Sequence, residues 1–280
     1  MYKIIKKEVL SANLQLMEIE APLVARNAKA GQFIILRVDE QGERIPLTIA
    51  DFDKTRGTIT IIFAEVGYST QKLGKMNVGD CLQDFVGPLG HESEIENFGT
   101  VVCIGGGVGV APMFPITREL KKAGNEVISI IGARCKDLLF WEDEMRAVSD
   151  VLYVTSDDGT VGAKGLVTDP LKQMIAEGKK IDIVYAIGPL VMMRAVAETT
   201  RAHGLKTIVS LNSIMVDGTG MCGACRVTVG GETKFSCVDG PEFDAHLVDF
   251  NEQMRRSKIF ADAEKRALAA GSCGGGCGCH

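Results

Sequence analysis

This 280-residue chain lacks several things, and each absence removes a class of function. No run approaches the roughly twenty apolar residues of a membrane span, so a spanning helix is not expected. Against 36 Asp and Glu stand 31 Lys and Arg, for a net charge of −5. That balance leaves no broad basic field to bind nucleic acid. Histidine is scarce, and His91, His203 and His246 are scattered without metal-ligand spacing. No internal repeat is visible. The opening residues Met1–Glu8 are charged and alternating rather than secretory. Nine cysteines, an odd number, make a disulfide framework a poor fit, and a cytoplasmic location is expected.

What is present falls into two rhythms. The length suffices for two compact domains and a small appendage, and 46% hydrophobic residues let each build a core. Residues 1–98 read as short strands, Tyr2–Val9, Leu14–Ile19, Gln32–Val38, Ile45–Ala50, Thr58–Phe63 and Asp80–Val86, with glycines between them. This spacing predicts a small antiparallel β-barrel with one helix between Gly67 and Met76. Over residues 99–210 strands alternate with helices. The strands are Thr100–Ile104, Glu126–Ile131, Val151–Thr155, Ile183–Ile187 and Lys206–Leu211, and the helices Pro112–Ala123, Asp137–Ala147, Leu166–Ala176 and Leu190–His203. Such alternation predicts a doubly wound parallel sheet covered by helices. The fold class is therefore α/β plus all-β, with a small hairpin segment over 211–250 and a helical, Gly/Cys-rich tail over 251–280.

After the apolar strand Val101–Ile104 comes a run of small residues containing Gly105, Gly106, Gly107 and Gly109 and closing on Pro112. Glycines placed where a strand enters a helix let the backbone approach a pyrophosphate, whose charge the free amides at the helix start favour. Proline near the first turn costs no hydrogen bond. Gly188 and Pro189 end a later strand, where open α/β sheets bind ligands. Asp157 follows another strand and suits either a nucleotide contact or a plain turn, with Thr155 and Ser156 offering hydroxyls.

Near the C-terminus Asp217, Cys222 and Cys225 precede Cys237 by a hairpin signal, Gly230-Gly231 between alternating segments. The run reproduces the C-x4-C-x2-C plus distant cysteine of plant-type two-iron clusters, with aspartate in the first position. Structural zinc is the competitor, although its ligands usually come as two short-spaced pairs. A carboxylate donates less electron density than a thiolate, so Asp217 is expected to raise the potential of such a cluster.

Gly105–Pro112, with Tyr185–Pro189 and Met192, resembles the pyridine-nucleotide domain of the ferredoxin–NADP reductase superfamily. Arg44–Thr48 and Gly67–Thr70 resemble that family's flavin-binding barrel. The resemblance implies FAD on the barrel, with Thr48 near the reactive nitrogen, Leu47 on the ring, and Gly67, Ser69 and Thr70 around the phosphates. Arg44 sits one position back from the family's phosphate-binding arginine. The Asp-plus-three-Cys segment is similar to the small subunits of NADH-dependent reduced ferredoxin:NADP oxidoreductases. That resemblance implies an electron-bifurcating enzyme whose small subunit exchanges hydride with NADH at FAD and uses a [2Fe-2S] cluster. It also implies a large subunit carrying a second FAD, [4Fe-4S] clusters and the NADPH and ferredoxin sites. The electron-transfer subunit of an NAD-dependent dihydroorotate dehydrogenase is the related alternative, and a flavin-free zinc protein that binds nucleotide is the third.

Cys81, Cys103 and Cys135 read as buried small residues. Cys273, Cys277, Cys279 and His280 form a metal-like tail with nothing downstream to fix it. Leu247–Arg256 is expected to face a partner.

Overall fold

The computed structural model describes residues 2–272; Cys273, Cys277, Cys279 and His280 lie outside them. The N-terminal barrel holds β1 (Tyr2–Ser11), β2 (Leu14–Glu20), β3 (Phe33–Arg37), β4 (Ile45–Asp53), β5 (Thr58–Ala64), β6 (Cys81–Leu82) and β7 (Asp84–Leu89). Their order is β6-β1-β2-β5-β4-β3-β7, with every pair antiparallel. The two end strands are consecutive in the chain and separated by Gln83 alone, so the backbone itself closes the barrel. The single strand expected over Asp80–Val86 is thus two strands meeting at that corner. Helix α2 (Tyr68–Gly74) matches the sequence, but α1 (Pro22–Asn27) was not foreseen. Six residues are too few to establish a period, although Val24 and Ala25 plug the barrel core.

Strand β3 is apolar on both faces. Ile34 and Leu36 point into the barrel core, whereas Phe33 and Ile35 join Met215, Cys225 and Cys237 in a separate cluster outside it. Successive side chains alternate across a strand, so a run such as Phe33-Ile-Ile-Leu36 requires cover on the outer face. The C-terminal segment provides that cover.

The second sheet contains β8 (Thr100–Gly106), β9 (Glu126–Ala133), β10 (Val151–Ser156), β11 (Ala163–Lys164), β12 (Ile183–Ile187) and β13 (Thr207–Ser210), all parallel. Val101 and Cys103 face one helical layer and Val102 and Ile104 the other. Helices α3 (Val110–Lys122) and α4 (Glu142–Ala147) belong to the first layer, α5 (Thr168–Ala176) and α6 (Leu190–Arg201) to the second. Helix α3 also leans on the barrel, where Arg118 pairs with Asp51 at 2.7 Å. The helix expected over Asp137–Ala147 is broken: a 3-10 turn at Lys136–Leu138 precedes α4. Between them Trp141 takes φ 55° and packs against Phe114 of α3 at 5.0 Å between ring centroids. Tertiary packing overrides helix propensity there.

Beyond this sheet the hairpin β14 (Arg226–Val229) and β15 (Glu232–Phe235) turns on Gly230 and Gly231, both at positive φ as a tight primed turn requires. The chain then adds β16 (Glu242–Asp244), antiparallel to β13, at the sheet edge. This unforeseen strand corrects the picture of a separate appendage, because the last part of the third segment is built into the second sheet. Helices α7 (Phe250–Arg256) and α8 (Ala261–Ser272) follow. Among the described residues no helix is long and apolar enough to cross a membrane.

Candidate cofactor and electron-transfer sites

The two glycine-bearing turns of the second sheet meet. Strands β8 and β12 are neighbours, and at their C-terminal ends the turn Gly105–Gly109 packs on Ile187–Pro189. A Cβ on Gly109 would lie 2.2 Å from the Ile187 carbonyl oxygen, and one on Gly106 would lie 2.3 Å from Met192 Sδ. In sequence order β9 lies on one side of β8 and β12 on the other, which makes this the crevice where strand order reverses and nucleotides bind in such sheets. Pro112 is buried in the first turn of α3. Asp157 lies on an exposed turn two strands away. The Ser156 hydroxyl is spent on the Val161 carbonyl at 2.7 Å, so it is not the ligand-facing donor expected.

On the barrel, Thr48 of β4 lies opposite Phe33 and Leu47 opposite Ile34. Thr48 is half-buried and shares the outer face with Phe33. Leu47 is half-buried and leans on the barrel core. Arg44 is exposed just before the strand. Ser69 reaches Glu43 at 3.4 Å, and both residues line an open cleft of about 170 Å³ with Gln41, Tyr68, Lys72 and Ala267. The Thr70 hydroxyl accepts from the Gly67 amide at 3.0 Å and donates to the Gly67 carbonyl at 3.0 Å. It closes its own turn rather than pointing outward.

The four donors of the C-terminal segment fall into two pairs. Cys225 and Cys237 are buried, with sulfurs 3.2 Å apart. Burial, and then the neighbouring Cys225 thiol, push the Cys237 thiol up. Asp217 and Cys222 form the outer pair: Asp217 Oδ2 accepts from the Cys222 amide at 2.9 Å and Oδ1 from the Thr219 amide at 3.0 Å. The Thr219 amide, followed by that of Cys222, holds the Asp217 carboxyl below its ordinary range. Gly218, Gly220 and Gly223 all take positive φ in this loop. Among the described residues no three His, Cys, Asp or Glu side chains close on a single metal position. Two pairs of oxygen and sulfur donors, one sealed and one open, instead suit a two-iron core that shares four ligands.

Sequence reasoning missed the floor of this site. A Cβ on Gly218 would lie 2.6 Å from Ile35 Cδ1 and 2.8 Å from Leu89 Cδ1, so the loop rests directly on strands β3 and β7. The two-sided apolar run at Phe33–Leu36 was the available signal. Also missed was Glu242 on β16, whose carboxylate receives the Ser93 hydroxyl at 2.5 Å. Burial pushes its pKa up to about 7.

Comparison with known proteins agrees with this layout. Residues 212–249 match the iron-sulfur cluster binding domain of dihydroorotate dehydrogenase B, and residues 103–198 match the oxidoreductase NAD-binding domain. The dihydroorotate dehydrogenase B (NAD(+)) electron transfer subunit homolog of Thermotoga maritima is 47% identical over 263 residues, 94% of this chain and 93% of its own. The dihydroorotate dehydrogenase B (NAD(+)) electron transfer subunit of Geobacillus thermodenitrificans is 33% identical over 251 residues, 86% of this chain and 95% of its own. A chain from the NADH-dependent reduced ferredoxin-NADP oxidoreductase structure, which addresses flavin-based electron bifurcation, superposes with a TM-score of 0.92 and 46% identity, covering 96% of this chain and 97% of that one. With its barrel, NAD-binding domain and iron–sulfur segment in this order, the chain belongs to the oxidoreductase electron-transfer small subunits of the ferredoxin–NADP reductase superfamily, the family of the dihydroorotate dehydrogenase B electron-transfer subunits.

Proposed function

We propose that this chain is the electron-transfer subunit of a flavin-based electron-bifurcating NADH-dependent ferredoxin:NADP oxidoreductase. FAD, NAD(H) and a [2Fe-2S] cluster are its cofactors, divided among residues 1–98, 99–210 and 211–250, with 251–280 as a tail. When bound, the flavin takes a hydride from the nicotinamide and releases electrons singly to the cluster. The chain's own residues supply placement. Gly105, Gly106, Gly107 and Gly109 keep side chains out of the crevice, Gly188 and Pro189 wall it, and Pro112 leaves the opening turn of α3 unbroken. Thr48 orients the flavin, the outer side of Leu47 supports it, and Gly67 and Ser69 border the phosphate end with Thr70 shaping their turn. Arg44 and Asp157 are assigned peripheral contacts from the rim. Asp217, Cys222, Cys225 and Cys237 hold the cluster.

The observation that carries this reading is a shared wall. Phe33 lies opposite Thr48 across one strand pair and packs in the same apolar cluster as Cys225 and Cys237. Adjacent strands lie about 4.8 Å apart, so the flavin side and the sealed thiol pair are separated by one strand. The outer pair faces solvent beside Met221, 88% exposed, and Val216, 51% exposed. This apolar rim suits a large partner subunit carrying FAD and [4Fe-4S] clusters, through which ferredoxin and NADPH react.

The names of the relatives favour a second reading, the electron-transfer subunit of an NAD-dependent dihydroorotate dehydrogenase. Aspartate at the first ligand position favours the bifurcating enzyme. Co-purification of the untagged partner, followed by anaerobic assay, decides between them. NADPH- and ferredoxin-dependent reduction of NAD is expected; dihydroorotate oxidation by the same complex would refute the first reading.

A further inference from the structure

We infer that helix α7 positions the two sealed thiols of the cluster segment, and that Arg256 at its end biases the cluster toward holding an added electron. The inference rests on the cluster reading above. It starts from two hydrogen-bond chains that leave the same helix. Arg256 Nη2 donates to the Ala224 carbonyl at 3.0 Å, and Ala224 is the residue before Cys225. Gln253, 3% exposed, donates through Nε2 to Ser213 Oγ. Ser213 Oγ pairs with Ser236 Oγ at 2.8 Å, and Ser236, fully buried, precedes Cys237. Each sealed thiol thus follows a residue held from α7.

The helix is itself anchored. Asp249 Oδ1 caps it by accepting from the Glu252 amide at 2.9 Å, and Phe250 is buried in the core beside Val227 and Val248. The stretch expected to face a partner therefore turns Phe250 and Gln253 inward and leaves Leu247 52% exposed. Arg226 adds a second guanidinium, donating to the Gly223 carbonyl at 3.3 Å. Both carbonyls between Cys222 and Cys225 are consequently tied to arginine, and Arg226, Gln253 and Arg256 line one small cavity beside the loop.

The charge argument follows from the donor set. A carboxylate and three thiolates already give the centre negative charge, and each added electron increases it. Net charge and hydrogen bonding around the ligands set the potentials of such clusters. A guanidinium cannot lose its proton in the accessible pH range, so it favours the electron-added state at every pH. Arg256 dominates because it is half-buried and makes the shorter bond, whereas exposed Arg226 is screened by solvent and salt. Such outer contacts typically change metal affinity by about 10–100-fold.

The test uses the full chain prepared anaerobically, with EPR-monitored redox titration and the rate of iron loss to a chelator as readouts. Arg256→Met is expected to move the midpoint to a more negative potential and to speed iron loss about tenfold. Arg256→Lys should keep most of the midpoint, because the charge remains, while losing iron faster. Gln253→Leu should speed iron loss with little change in midpoint. Wild-type midpoint and wild-type iron loss in Arg256→Met would overturn the inference. Should that variant assemble no cluster, wild-type iron loss in both Arg256→Lys and Gln253→Leu overturns it. Absence of iron and sulfide from the wild-type chain overturns the cluster reading itself.

Discussion

The two glycine-rich loops look alike in sequence and obey different constraints. In the turn after β8, Gly109 keeps an ordinary φ, and it is glycine because the Ile187 carbonyl leaves no room for a Cβ. In the cluster loop, Gly218, Gly220 and Gly223 are required by positive φ, and Gly223 meets only ordinary contact at 3.7 Å. Space therefore limits Gly106 and Gly109 of the first loop, while Gly107 at φ 54° is limited by conformation. Conformation limits all three glycines of the second, with Gly218 also short of space against Ile35 and Leu89, and its outer half is open. The turn after β8 is therefore packed against β12, while the outer half of the cluster segment is ordered by the Thr219 and Cys222 amides on Asp217 and by the seat of Gly218 on β3 and β7.

Four substitutions can break or sharpen this contrast. Cys225→Ala should have the largest effect, near-complete loss of bound iron and sulfide with NADH affinity kept, since the two sites share no residue; iron analysis and NADH titration check both halves. Gly109→Ala should destabilise the chain by about 3 kcal/mol through overpacking, read from urea unfolding. Gly107→Ala, at φ 54° with nothing near its Cβ direction, should cost only about 1 kcal/mol. If the two glycine variants cost the same, space is not what sets the first turn.

The smallest effect concerns Glu242, which links the barrel to the sheet edge through Ser93. Burial raises its carboxyl to about 7, with Glu94 adding to the rise and the Ser93 hydroxyl opposing it. The folded chain therefore binds a proton that the unfolded chain has lost between its ordinary value of 4.5 and about 7. That contribution is present in full below 4.5 and is lost as pH rises through 7. The melting temperature should fall across this window, and Glu242→Gln should flatten the fall. An unchanged slope in the variant would show that the proton is held elsewhere.

Much of the chain was legible because its patterns are local. Ile183–Ile187 reads as a strand from its apolar run and is observed with those bounds, and Gly230-Gly231 marks a hairpin because few other residues accept both angles. Strand β16 was not legible, since three residues carry no period and its pairing with β13 is set by distant chain. The break at Trp141 was hidden for a similar reason, as its aromatic partner lies on another helix. The meeting of Gly106 with Pro189 could be expected only after the fold class was known.

The sequence by itself determined most element types, the two glycine loops and the spacing of the four candidate cluster donors, because spacing and backbone preference act within a few residues. Only the tertiary structure decided which thiols are sealed and which is open, that Phe33 of β3 lies opposite Thr48 and packs with the sealed thiols, and that α7 reaches the loop. Those relations depend on burial and on contacts between segments far apart in the chain, where side-chain packing rather than local preference chooses the neighbour.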